Sequence, residues 1–334
     1  MGAMKVLVCS DKFRGTATAR EIGGAVAAAV EGVGGQVCIQ PMADGGEGTL
    51  DAFGGSNRVT TVTGPLGELV EAPWRVRRGV AVIEMAHASG LTLAGGLGGN
   101  DPMEASTEGT GELIAHAVEA GAKQVIIGLG GSATTDGGLG ALRAMAPVGR
   151  YRGVDLDVAC DVRTRFLDAA EVFGPQKGAS PAQRKLLQRR LERLAQVYLD
   201  EHGVDVTALD RSGAAGGLAG GLVTAGATLH DGFTLIAEAV ELYDQIEAVD
   251  LVITGEGRLD ATSFEGKVVG GVAELAAAAG RPCFAIVGQA DTDVSTSFPV
   301  VDLSAMFGPD RAMKETLTCV AEATAAWISE NPLR

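Results

Sequence analysis

Aromatic side chains are scarce in this chain: two Trp, three Tyr and nine Phe among 334 residues, or 4%. A close-packed core must then come from Ala, Val, Leu and Ile, and the 49 glycines let backbone approach backbone. That favours α/β layers over a sandwich or a propeller. Positive charge is also short: 27 Lys and Arg stand against 42 Asp and Glu, a formal net charge of −15. Nothing in this balance favours nucleic acid or anionic lipid, although local groups decide whether a small anion binds. The four histidines (His87, His116, His202, His230) show no metal-ligand spacing. The strict phosphate signatures GxxxxGK[ST] and GxGxxG are absent, which disfavours a P-loop NTPase or a fingerprint-type dehydrogenase. HExxH and GxSxG are missing too. No apolar run is long enough to span a bilayer. Cys9, Cys38, Cys160, Cys283 and Cys319 form no CxxC and read as buried free thiols. MGAMKVLVCSDKF meets a charge too early for a signal peptide, so a cytoplasmic location is expected.

What is present is a rhythm. With 46% hydrophobic and 21% charged residues the chain is globular, and its length suits two domains or one large one. Short apolar runs ending in Gly or Asp recur: KVLVCSD (5–11), QVCIQPMADGG (36–46), AVIEMA (81–86), QVIIGLGG (124–131), DLDVACD (155–161), DLVITGEG (250–257), CFAIVGQ (283–289) and VVDLSAMFG (300–308). Helical patterns lie between many of them, for example 18–33, 110–122, 180–203, 233–246, 268–280 and 312–330. Alternation of this kind predicts parallel sheets with ligands at the carboxyl ends of strands. Residues 58–86 break the rhythm and read as an antiparallel meander turning at 64–67 and 78–79, which points to a second domain beginning near residue 60. Residues 90–107 read as a flexible loop.

Several strand ends carry residues suited to phosphoryl transfer, which needs N–H groups for phosphate oxygens, a carboxylate for Mg²⁺, a cation and sometimes a base. Gly128–Gly138 reads as an anion cradle built on Gly130, Gly131, Ser132 and Thr134. Asp136 within it suits either a helix cap or Mg²⁺, and the plainer alternative for the whole segment is a glycine-rich turn. SDKFRGT places Asp11, Lys12 and Arg14 after the first strand; solvated charges beside a helix cap are the alternative. PMADGGEGT offers Asp44 to a metal or a substrate hydroxyl, or simply makes an Asp-Gly turn. STEGTGELI puts Thr107 and Thr110 at a helix start, as caps or as anion ligands. Lys177 stands on the Gly/Pro-rich turn FGPQKGAS. The run 212–221, with Gly216 and Gly217, suits either close backbone packing or a nucleotide floor. TGEGRLDATSFEGK supplies Glu256 and Lys267, and ACDV ends on Asp161, a natural Mg²⁺ position or a lone turn residue.

Taken in order, SDKFRGT, PMADGGEGT, IEMAHASGL, STEGTGELI, IIGLGGSATTDGG, ACDV, FGPQKGA, GAAGGL and TGEGRLD…GK resemble the glycerate kinase family of the bacterial glyoxylate and galactarate pathways. The resemblance runs from Lys5 to about Lys267 and more weakly beyond. It implies an ATP- and Mg²⁺-dependent kinase acting on D-glycerate, with 2-phosphoglycerate the favoured product. The fold it implies is two α/β domains, one Rossmann/flavodoxin-like with a mostly parallel sheet and one with a mixed sheet, and an active site in the cleft between them. The expected division is residues 1–62 with about 245–334, and an inserted domain over about 63–244. The partners implied are D-glycerate and ATP, without nucleic acid or membrane; a homodimer is compatible with this.

Roles are assigned by residue chemistry. Asp44, Asp11, Lys12, Arg14 and Lys267 are the catalytic candidates; Gly130, Gly131, Ser132, Thr134, Gly216, Gly217, Thr107, Thr110, Lys177 and Glu256 the nucleotide candidates; Asp136 and Asp161 the metal candidates. Three departures from the family pattern stand out. Lys12 takes the place of a Ser and Arg14 that of a Lys in the opening motif, Thr135 replaces an Asn, and the 141–157 segment is short. Arg and Lys are not equivalent at a carboxylate, so a kinase for another small hydroxy acid stays open. So does a regulator that binds glycerate or nucleotide without turnover.

Overall fold

The computed structural model describes residues 3–331. In chain order the strands are β1 (Lys5–Ser10), β2 (Gln36–Ile39), β3 (Arg58–Thr63), β4 (Leu69–Arg77), β5 (Val80–Glu84), β6 (Gln124–Gly128), β7 (Asp155–Cys160), β8 (Thr228–Asp231), β9 (Leu251–Leu259), β10 (Cys283–Ala290) and β11 (Val300–Asp302). The chain forms two compact units, Met1–Asp44 with Phe233–Arg334, and Gly45–Gly232.

The first unit holds a five-stranded, wholly parallel sheet of order β2-β1-β9-β10-β11. This is the flavodoxin-like 2-1-3-4-5 order, whose switch point falls between β1 and β9. The helix Ala19–Gly32 begins where Thr18 and Glu21 form a reciprocal capping box. Its Ile22, Val26 and Val30 recur every four residues and pack with Val6, Val8, Leu251 and Ile253.

The second unit holds a six-stranded mixed sheet of order β3-β4-β5-β6-β7-β8. β3, β4 and β5 are the antiparallel meander, and β5 to β8 run parallel. Arg78 (φ 51°) and Gly79 (φ 82°) make the two-residue left-handed turn that joins β4 to β5. Ile83, Val125, Ile127 and Val158 form the sheet side of the core, with Leu113 and Ile114 of the helix Glu108–Glu119 against them. That helix crosses the helix Leu139–Met145 closely, because a Cβ on Gly111 would lie 2.3 Å from the Ala141 carbonyl oxygen.

Four details differ from the sequence expectation. The division falls at Asp44/Gly45 and Gly232/Phe233, not near 62 and 244. β3 pairs with β4 from Arg58↔Trp74 to Thr63↔Leu69, which ties residues before 62 to the second sheet. The Phe233 ring fills the space over Gly271, where a Cβ would meet it at 2.1 Å, which ties that residue to the first unit. The 233–246 pattern is two helices, Gly232–Ala239 and Leu242–Glu247, broken where Glu241 turns left-handed at φ 56°. Only Val300–Asp302 of the last apolar run is strand, because Asp302 Oδ1 accepts the Ala305 N–H at 2.9 Å and starts a helix. Among the cysteines Cys38 is exposed on β2, contrary to the expectation that all are buried. Among the described residues no helix is long and apolar enough to cross a membrane.

Candidate functional site

In the first unit the chain leaves β1 into Asp11-Lys12-Phe13-Arg14. The Asp11 N–H donates to the Gly255 carbonyl at 2.9 Å, which fixes this turn beside β9 at the switch point. Asp11 Oδ1 accepts the Lys12 N–H at 2.7 Å and lies 3.8 Å from Lys12 Nζ. Phe13 is buried and exchanges two backbone bonds with Ala17, at 2.8 and 3.0 Å, so Arg14-Gly15-Thr16 project as an exposed tight loop. A Cβ on Gly257 would lie 3.2 Å from the Arg14 nitrogen, so this loop crosses β9 closely at that glycine.

Glu256, on β9, is 9% exposed. The fully buried Ser263 lies beside its carboxyl group, and Oε1 has no hydrogen-bond partner. Burial pushes its acid up to about 7, opposed by Ser263 and Lys267 and reinforced by Asp11 and Asp260. Burial likewise pushes Asp11 up to about 6, with Lys12 and Lys267 opposing and Asp44 reinforcing. Lys267 precedes the helix Val268–Ala278 and donates to Thr262 Oγ1 at 2.7 Å. Asp11 thus feels the charges of Lys12, Asp44 and Lys267, and Glu256 those of Asp11 and Lys267, a mixed-charge cluster at the carboxyl edge of a parallel sheet.

In the second unit β6 ends at Gly128 and runs into the glycine-rich turn. Gly128 and Gly130 press against Gly45 and Gly46: a Cβ would come within 2.8 Å of the Gly45 oxygen or 2.5 Å of Gly46 Cα. Gly131 is exposed at φ 74°. The Leu91 N–H donates to Gly131 O at 2.8 Å and the Ala133 N–H to Ser89 O at 3.0 Å, which latch the turn to the loop after β5. Beneath it Lys177 is buried, and its Nζ donates to Ser132 Oγ at 3.2 Å and to Thr134 O at 2.5 Å. Burial pushes this amine down to about 7, with Asp136 pulling the other way. Asn100 Nδ2 braces the same knot through Ala133 O and Lys177 O, at 3.1 and 2.9 Å. Backbone exposed at Gly131 over a buried amine at a strand end suits an anion.

Other candidates are occupied differently. Thr107 and Thr110 are fully buried. Thr107 Oγ1 donates to Asp136 Oδ2 at 2.8 Å and accepts the Ala141 N–H at 3.0 Å, while Thr110 Oγ1 bonds Ser89 Oγ at 2.9 Å. Both are braces between elements, with no hydroxyl left facing outward. Gly216 and Gly217 are also buried. A Cβ on Gly216 would lie 2.0 Å from Thr134 O, and one on Gly217 2.8 Å from Gly137 Cα. Of the two readings left open for this run, close packing is the one observed. Asp136 joins two helix starts: Oδ2 accepts from Thr107 N, Thr107 Oγ1 and Gly140 N, and Oδ1 from Gly138 N at 3.0 Å.

Asp161 is exposed just beyond β7. Among the described residues no three His, Cys, Asp or Glu converge as a metal cage. One or two carboxylates with phosphates and water is the usual mode for Mg²⁺, a donor chemistry that a strand-end carboxylate such as Asp161 has. Sequence reasoning missed Glu84. This buried acid at the end of β5 accepts the Gly48 N–H at 3.1 Å and the Leu50 N–H at 2.7 Å, and lies 3.3 Å from His87. Its signal was a carboxylate closing an otherwise apolar strand, in the IEMA of residues 83–86.

The glycerate kinase family model matches residues 6–149 and 147–329. Glycerate 2-kinase of Escherichia coli K12 is 37% identical over 331 residues, covering 87% of this chain and 87% of that protein. Glycerate kinase of Bacillus subtilis 168 is 37% identical over 330 residues, 87% of this chain and 86% of that one. A crystal structure of a provisionally named glycerate kinase 2 from Salmonella typhimurium LT2 superposes with a TM-score of 0.84 at 31% identity, covering 99% of this chain and 100% of that one.

Proposed function

This chain belongs to the glycerate kinase family, and from that premise we propose that it transfers the γ-phosphoryl group of ATP to D-glycerate, giving 2-phosphoglycerate. The observation that carries this reading is that the family match runs through both strand-end clusters, the Asp11 to Lys267 group and the Gly128 to Gly138 turn.

The glycerate carboxylate is assigned to Lys12, Arg14 and Lys267, the cations at the edge of the first sheet. Asp11 and Asp44 orient the acceptor hydroxyl. The half-buried backbone at Gly130, the exposed backbone at Gly131 and the Ser132 hydroxyl are assigned to phosphate oxygens. Thr134 and Lys177 hold that turn in shape from beneath, through the bonds already described. Asp161, with Oδ1 of Asp136, is the carboxylate set that would hold Mg²⁺, and the ion would supply positive charge against the phosphates.

A second reading, a kinase for another small hydroxy acid, is favoured by Lys12 and Arg14 in the opening motif. Phosphorus NMR of D-glycerate, ATP and Mg²⁺ with the protein tests both. A new phosphomonoester resonance split by a single proton is the result expected. ATP left intact with D-glycerate but consumed with a related acid supports the second reading. ATP untouched with every acid, by protein that still binds one of them, refutes catalysis and favours a regulator.

A further inference from the structure

The switch-point cluster of the first unit holds a carboxylate that the sequence placed among the nucleotide candidates and to which the proposed function gives no task. Glu256 lies on β9, one residue beyond the Gly255 whose carbonyl anchors Asp11. It is nine-tenths buried, and Oε1 has no partner among the protein's own groups. A buried carboxylate oxygen is seldom left without a donor, and such exceptions concentrate at functional sites. Ser263, fully buried beside this carboxyl group, accepts the Asp260 N–H through its Oγ at 3.1 Å. The topology is informative as well: in open α/β sheets of this strand order, ligands enter outside the carboxyl ends of the two strands flanking the switch point. Asp11 follows one of those strands and Glu256 closes the buried part of the other.

We propose that Glu256 accepts the proton of the substrate hydroxyl during phosphoryl transfer, with its unpartnered Oε1 as the receiving atom. The assignment rests on the kinase reading. In the step, the hydroxyl oxygen of the hydroxy acid forms a bond to the γ-phosphorus, the bond from that phosphorus to the β–γ bridging oxygen breaks, and ADP leaves with the electron pair. The hydroxyl proton passes to Glu256 and then to solvent. The groups facing Glu256 are Ser263, Lys267, Asp11 and Asp260, and Asp11 in turn faces Lys12 and Asp44. Burial and the two acids raise the proton affinity of Glu256, while Ser263 and Lys267 hold it near neutrality. A base poised near the working pH balances ionisation against proton affinity. The ionised form is the active one, so kcat must rise with pH through about 7.

The test compares wild type, Glu256→Gln and Glu256→Asp in steady state with D-glycerate and MgATP across pH 5.5 to 9, roughly two units about that value. Glu256→Gln lowers kcat by about 10²–10⁴-fold, leaves both KM values within about threefold, and abolishes the rise with pH. Glu256→Asp keeps the carboxylate but withdraws it by one methylene, lowers kcat by more than about tenfold, and retains a rise with pH. A Glu256→Gln protein within tenfold of wild type, or one that is slow yet keeps the rise, overturns the assignment. Should that variant fail to fold, Glu256→Asp decides, and wild-type kcat in it is the overturning result. A folded wild type that leaves D-glycerate and related acids unphosphorylated overturns the kinase reading, and this assignment with it.

Discussion

Gly216→Ala separates packing from ligand binding at the glycine run. Gly216 has φ 67°, and an added Cβ would lie 2.0 Å from Thr134 O and 2.6 Å from Thr135 Cα. Left-handed backbone costs a residue with a Cβ about 1–2 kcal/mol. The overlap is with main chain, which cannot rotate away, and overpacking of this kind costs about 1–3 kcal/mol. The substitution should therefore destabilise the second unit by about 2–5 kcal/mol, a fall in Tm of roughly 5–15 °C for a unit of this size. Gly226→Ala is the control, because Gly226 has φ 95° with nothing within 4 Å of the added atom. It carries the backbone cost alone, about 1–2 kcal/mol. Urea unfolding and calorimetry of both variants, with KM for ATP measured beside them, give the comparison. A Gly216→Ala protein as stable as the Gly226→Ala control, but with weakened ATP binding, would refute the packing account and restore the nucleotide floor.

Other outcomes follow from single side chains. Lys177 titrates near 7 against an ordinary 10.5. The unfolded chain then binds the extra proton between those values, so this amine makes stability rise with pH across that window, by about 4–5 kcal/mol at most. Subtracting the pH–stability curve of Lys177→Met from that of wild type should isolate this slope, and a flat difference from pH 7 to 10 contradicts a buried, mostly neutral amine. Asp136→Asn weakens an acceptor serving the Thr107, Gly138 and Gly140 N–H groups and should lower stability by about 1–3 kcal/mol in urea titrations. Unchanged stability with an altered Mg²⁺ requirement would make Asp136 a metal ligand first and a cap second. Arg14→Ala should raise KM for glycerate by about 10–100-fold, the worth of a charge-assisted contact, with KM for ATP unmoved; the reverse pattern removes Arg14 from the carboxylate site.

The glycine-rich segments show how far each kind of signal reached. Apolar runs ending in Gly or Asp located eight of the eleven strands, and the meander gave β3 and β4, because a buried strand must be apolar and its carboxyl end must turn; β8, the short TLHD of residues 228–231, has no such run and went unread. The left-handed pair Arg78-Gly79 was legible for a similar reason, since few residues tolerate that turn. The uses of Gly130, Gly131, Gly216 and Gly217 were not separable by sequence. All four read as one kind of flexible backbone, yet Gly131 is exposed while Gly216 and Gly217 are filled against the 134–137 main chain. What separates them is the presence of another segment at van der Waals distance, and that segment lies some eighty residues away in the chain.

The same division runs through the charged residues. Local order alone determined that Asp11, Lys12, Arg14 and Asp44 follow strand ends, while Glu256 proved to lie within β9 and Lys267 at the start of the next helix. It also determined the α/β class, the meander and, through the order of its motifs, the family. Tertiary structure decided which acids are withdrawn from water and which are satisfied. Asp136 and Glu256 look alike in sequence, each a carboxylate among glycines. One is surrounded by four donors that bind two helices together, and the other is buried with an oxygen left over. Burial and hydrogen bonding depend on groups brought in from distant parts of the chain, and those two quantities set what a carboxylate can do.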